Sequence, residues 1–163
     1  MATLRDMVRT YRYVGPPDVH AVAANVTVLR EAGDLDGVAG EEAFTFVVDL
    51  DGLLRIAPRR SEHVACAGGR DVRAAGEVAF GRGAGGWTVT YASNQSTGYC
   101  PDLPSWHALA DALDRAGIGR PDGFTEPFVF RRCPACGALN VVREEVYVCA
   151  LCDADLPRRW NVD

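Results

Sequence analysis

Apolar positions along the chain change period several times, and each change marks an element. Leu4, Met7, Val8 and Tyr11 recur at i, i+3, i+4 and i+7, the stripe of a short amphipathic helix over 3–13. Thr3 can cap its start with Asp6 three positions on, and Gly15-Pro16-Pro17 ends it. From Val19 to Leu29 the apolar residues partly alternate, as in an extended segment. Residues 31–42 are rich in Gly, Asp and Glu and read as a loop or a weak helix.

The clearest strand pattern follows. Phe44, Phe46, Val48 and Leu50 alternate with Thr45, Val47 and Asp49, and Asp51-Gly52 leads to Leu53, Leu54 and Ile56. Asp-Gly between apolar strands favours a two-residue turn with positive φ, so a hairpin is expected. GEVAF and WTVTYAS, joined by GRGAGG, predict a second hairpin over 75–93. The glycine-rich joint resembles a phosphate cradle only weakly, because no helix opens after it. Trp106, Leu109, Ala110 and Leu113 predict a helix over 104–116 with Gly117 as its C-terminal cap. GIGRPDGFTEP is a boundary, and FVFRR runs from it into a cysteine cluster.

That cluster carries the most specific chemistry. Cys133-Pro-Ala-Cys136 and Cys149-Ala-Leu-Cys152 are two CxxC turns separated by 12 residues. Each such turn lets two sulfurs converge, and two turns at hairpin tips supply four thiolates at tetrahedral corners. Zn2+ suits them, being borderline soft and without a geometric demand of its own. Val141, Val142, Val146, Tyr147 and Val148 are strand formers around a polar turn at Arg143-Glu144-Glu145, the pattern of a zinc ribbon. A redox pair would need a βαβ context that is missing. Paired spacing favours zinc over an iron–sulfur cluster, and a reducing compartment disfavours two disulfides. Four thiolates close the coordination shell, so the metal is expected to be structural.

Composition narrows the function classes. The 163 residues include 17 arginines and no lysine, which excludes Schiff-base and Walker-type lysine chemistry. All-arginine usage also suggests a GC-rich bacterial genome. No apolar stretch has signal-peptide or membrane-span length, so a cytoplasmic protein is expected. The net charge of −5 weighs against a nucleic-acid coat. The ribbon arginines (131, 132, 143, 158 and 159) are matched by five acids, although residues 55–82 hold six arginines against three acids.

A weaker constellation lies between Ser61 and Pro101. His63, Glu77, Asn94, Ser96 and Tyr99 are candidate catalytic residues, with SNQST directly after a strand and His63 able to fold back as a base. The plainer alternative is a turn whose side chains satisfy the backbone, with Cys66 and Cys100 as small core residues.

This stretch resembles a pattern associated with the plant IQ-motif calmodulin-binding family and with assorted bacterial proteins. His63, Gly68-Gly69, Ala74-Ala75-Gly76, Ser96, Tyr99 and Pro101 match it. Val64 and Ala65 replace two serines, and Gly98 replaces a second histidine. The resemblance implies a shared β-rich module. The chain is also similar to small actinobacterial proteins that end in a CPxCG zinc ribbon and a Leu-Pro-x-x-Trp-Asn tail, here Leu156, Pro157, Trp160 and Asn161.

The expected architecture is α+β. Two helices pack on a mainly antiparallel sheet or partial barrel over 1–125, and a zinc ribbon over 126–163 docks beside it with Trp160 at the junction. The expected role is a zinc-stabilised binding or adaptor module acting through protein–protein contacts. A small enzyme with a cleft around His63 and a nucleic-acid-binding ribbon protein are the alternatives.

Overall fold

The computed structural model describes residues 9–17, 24–38, 40 and 42–163. It is α+β. Seven strands are described: β1 (Thr27–Leu29), β2 (Phe44–Val48), β3 (Leu54–Pro58), β4 (Ala74–Gly83), β5 (Gly86–Ser93), β6 (Val129–Arg132) and β7 (Leu139–Val142). Among the described residues the two α-helices are α1 (His63–Cys66) and α2 (Trp106–Ala116). β1 to β5 form one antiparallel sheet in the order β1-β3-β2-β4-β5, and β6 pairs with β7 in a separate two-stranded sheet.

Strand alternation explains why β2 sits at the centre. Phe46 and Val48 point to one face, where Leu54, Ile56, Val78 and Phe80 meet Leu109 and Leu113 of α2. Val47 points to the other, into a cluster with Tyr11, Val64, Cys66, Val72 and Tyr99. Both faces of the strand are therefore covered, and burying the large side chains on each contributes roughly 1.5–3 kcal/mol apiece. α2 ends as its sequence requires: Gly117 takes φ 73° and its N–H closes the last turn on Asp114 O at 3.1 Å.

Three local expectations need correction or completion. The first hairpin does not close on a two-residue Asp-Gly turn. Asp49 N–H bonds Leu53 O at 2.9 Å, leaving residues 50–52 as the loop, and within it only Gly52 has positive φ, 80°. Asp49 forces this by accepting the N–H groups of Asp51 and Leu53 on Oδ1, both at 2.9 Å. Residues 3–8 of the N-terminal helix lie outside the described residues. Tyr11, at its end, is extended instead and exchanges two backbone hydrogen bonds with Val72, at 2.7 and 2.9 Å. Of the extended segment 19–29, residues 24–29 are described, and Thr27–Leu29 is the part that pairs with β3. Among the described residues no helix is long and apolar enough to cross a membrane.

Candidate functional site

The ribbon begins where β6 enters the first cysteine pair. The two CxxC turns share one backbone geometry. Cys133 N–H bonds Ala138 O and Gly137 N–H bonds Cys133 O, both at 2.8 Å. In the second turn Cys149 N–H bonds Ala154 O at 2.8 Å and Asp153 N–H bonds Cys149 O at 3.0 Å. The residue after each second cysteine is left-handed: Gly137 at φ 77° and Asp153 at φ 65°. Glycine adopts this freely, and Asp is among the few side chains that tolerate it. Between the pairs the chain reverses at Glu144-Glu145, also left-handed, where Arg143 and Val146 bridge.

This geometry brings all four Sγ atoms within 4.8 Å of one another. Cys133 to Cys152 and Cys136 to Cys149 are each 3.6 Å. Bonds of about 2.3 Å to a tetrahedral ion place sulfurs about 3.8 Å apart, so the cage has the right size for one. Four sulfur donors can hold a metal ion here and leave no position for water.

The surroundings favour the thiolate at Cys149 and Cys133, while the neighbouring sulfurs and burial raise Cys152 and Cys136. Cys149 is fully buried, and its Sγ receives Asn140 Nδ2 and Leu151 N–H, each at 3.4 Å. The Asn140 amide, helped by the N–H groups of Cys152 and Leu151, holds the Cys149 thiol down to about 6. The N–H groups of Cys136 and Ala135 lower Cys133 in the same way.

At this centre the sequence reading misses Asn140 and counts Arg131 only as ribbon charge. Asn140 reaches both turns: its Nδ2 also donates to Ala138 O at 3.2 Å, and its Oδ1 accepts Ala150 N–H at 2.9 Å. Its signal was a short amide on the inward face of an otherwise apolar strand. Arg131 is 6 % exposed and is satisfied by three carbonyls. It donates to Pro157 O at 3.0 Å, Phe130 O at 2.7 Å and Arg158 O at 2.6 Å. It thereby straps the tail against β6. Asn161 brackets Arg132 through both backbone groups, at 2.8 and 2.7 Å. Trp160 then reaches the large sheet's second cluster, with Nε1 on Cys100 O at 2.8 Å and its ring edge-on to Tyr11 at 5.3 Å.

Comparison with protein-family models, with curated proteins and with solved structures gives no match. The chemistry of the chain is therefore read from its own residues.

Of the five candidates in the weaker constellation, the structure brings three around one cleft and places two elsewhere. His63, Glu77 and Ser96 line a cavity of about 300 Å³ together with Arg59, Arg60, Ser61, Glu62, Gln95 and Thr97. Asn94 is fully buried behind it, donating to Pro101 O at 3.0 Å and Phe128 O at 2.8 Å and accepting Phe128 N–H at 2.7 Å. It ties the end of β5 to the segment entering the ribbon. Tyr99 is also fully buried, with its hydroxyl on Arg70 O at 2.6 Å.

His63 is 4 % exposed, and both ring nitrogens are engaged. Thr97 N–H donates to Nδ1 at 3.1 Å, so the proton sits on Nε2, which donates to Gly76 O at 2.7 Å. Burial pulls its pKa below the ordinary imidazole value, and the ring is neutral at physiological pH. Glu77 holds Arg59 Nε at 3.2 Å. Burial pushes the Cys66 and Cys100 thiols up, to about 12 and about 11.

Proposed function

We propose that this chain is a zinc-stabilised cytoplasmic module that works by docking another protein on its ribbon. The observation that carries this reading is where apolar surface remains exposed. Among the described residues seven large apolar side chains are exposed, and Leu139, Val141, Val146, Val148 and Leu151 all belong to the ribbon. Leu139 and Val141 share the outward face of β7, opposite the inward-facing Asn140, and Leu151, 77 % exposed, stands at the tip of the second cysteine turn. Exposed apolar residues scattered singly need no explanation, but five within 13 residues of a rigid tip support an interaction surface.

Zinc is the ion that fits four thiolates in a closed tetrahedral set. Bound there, it would cross-link the two cysteine turns and supply folding free energy to a segment too small for its own core. Cys133, Cys136, Cys149 and Cys152 would hold it, and Asn140 would fix Cys149.

Elemental analysis should give about one zinc per chain. A folded ribbon without metal, or iron in its place, would overturn the zinc assignment. For the docking role, the expected result is a protein that co-purifies with the wild type and rebinds when both are pure. It should be lost when Val146 and Leu151 are both replaced by Asp, in a variant that keeps its zinc. Binding indifferent to that double substitution, or no such protein, would overturn the assignment.

A further inference from the structure

The four-cysteine cluster is not sealed, because one sulfur of each turn faces solvent. Cys133 and Cys149 are buried, whereas Cys136 and Cys152 are exposed. Their neighbours give little cover, since every residue over 134–137 and 150–153 is exposed. A small neutral oxidant can therefore reach one sulfur in each pair.

Each exposed sulfur also has a buried one against it, and the contact crosses from one turn to the other. Cys136 Sγ meets Cys149 Sγ and Cys152 Sγ meets Cys133 Sγ, each at 3.6 Å. A disulfide is about 2.05 Å long, so each pair has only about 1.5 Å to close. Asn140 fixes one of these pairs. Its Nδ2 donates to Cys149 Sγ at 3.4 Å and to Ala138 O at 3.2 Å, which holds the buried sulfur of the second turn against the first turn.

The other two cysteines supply a built-in contrast. Cys66 and Cys100 lie outside the cluster, and burial pushes their thiols up to about 12 and about 11, away from the reactive thiolate form.

We propose that the four-cysteine centre is a peroxide-responsive switch that exchanges its metal for two disulfides, Cys136–Cys149 and Cys133–Cys152. This inference rests on the zinc assignment and is independent of the docking one. Peroxide meets Cys136 and Cys152 first. The thiolate sulfur attacks one peroxide oxygen, the O–O bond breaks and hydroxide leaves, giving a sulfenic acid on the cysteine. The buried thiolate across from it then attacks that sulfur, forming the S–S bond and expelling a second hydroxide. In all, two peroxides are reduced to four hydroxides and each of the four sulfurs gives up one electron. No thiolate then remains to hold Zn2+.

The test uses the full-length chain loaded with zinc and titrated with hydrogen peroxide. Free zinc is read with a chromophoric chelator too weak to strip the reduced chain. Release should be complete at about two peroxides per chain. Trypsin cuts after Arg132, Arg143 and Arg158. Crosswise disulfides therefore leave peptides 133–143 and 144–158 linked in the monomeric fraction, whereas bonds within each turn leave them separate. Fragmentation of the linked pair should join Cys136 to Cys149 and Cys133 to Cys152. Cys66 and Cys100 should stay free for alkylation after denaturation, and a dithiol with added zinc should restore the loaded chain. Bonds within a turn, the other crosswise pairing, sulfinic acid in place of disulfide, or oxidation of Cys66 or Cys100 at the same rate would each overturn the proposal. A chain that keeps its zinc in excess peroxide would overturn the switch alone, and one that takes up no zinc would overturn the zinc assignment with it.

Discussion

The large sheet and the ribbon are cross-braced by different means. β2 is covered on both faces by apolar side chains, and α2 adds Leu109 and Leu113 to one of them. The ribbon's buried cluster is only Cys133, Cys149 and Leu156, with Ala138, Val142, Tyr147 and Ala154 against it. Four sulfurs and one amide stand where the sheet has two packed clusters of largely hydrocarbon side chains. A core assembled from many weak contacts tolerates small losses. A core organised around one ion, as proposed for the ribbon, would not, because each ligand is needed at once.

The largest expected effect comes from removing the proposed zinc. A chelator, or Cys149→Ser, should unfold residues 129–156, since structural zinc in small modules is worth on the order of 10 kcal/mol. Hydrogen exchange should show protection lost at β6 and β7 and kept at β2 and β4. Simultaneous loss in both regions would show that they fold as one unit. The complementary break is Leu109→Ala, which empties a fully buried position and should cost about 2–5 kcal/mol by denaturant titration. Zinc retention should follow the ribbon, not the weakened sheet.

A smaller effect isolates the ribbon's internal support. Asn140→Ala leaves the four sulfurs in place but removes the amide that joins the two turns. Metal affinity should fall about 10–100-fold in competition with a chromophoric chelator, as for other ligand-supporting groups.

The smallest effect is a pH dependence at His63. Its pKa is lower in the folded chain than the ordinary 6.5. Above that value both states are neutral at this site and its stabilisation is fully present. As pH falls below 6.5 the unfolded chain takes up the proton first, and stability declines until folded His63 itself protonates. Protonation also removes the lone pair that accepts Thr97 N–H. Denaturation at pH 7.5 and 5.5 should therefore show a larger acid loss in the wild type than in His63→Gln. Equal losses would show that other groups carry the acid sensitivity.

What was legible in the sequence follows from how local each signal is. The CxxC pairs were readable because four sulfurs at fixed spacing leave little geometric choice. The alternation FTFVV and the stripe of α2 were readable because period and turn residues agreed. The Asp51-Gly52 turn was misread because Asp49, two residues earlier, captures two backbone N–H groups and lengthens the loop. Tyr11 reads as helical by spacing, yet its partners are Val72 and Trp160, 61 and 149 positions away. Asn94 and Tyr99 read as site residues because polar groups after a strand often are. Their burial depends on Phe128 and Arg70, which no local pattern reveals. Asn140 and the strapping role of Arg131 were missed for the same reason.

The strap from Leu156 to Trp160 joins the four-cysteine cluster to the far side of the large sheet. In a zinc-starved cell that strap would lose its anchor beside Cys133 and Cys149, uncovering the Tyr11 ring and the Trp160 indole together. Such surfaces are what quality-control chaperones and proteases recognise. Metal supply would then govern how long each copy survives, in addition to how well it is folded.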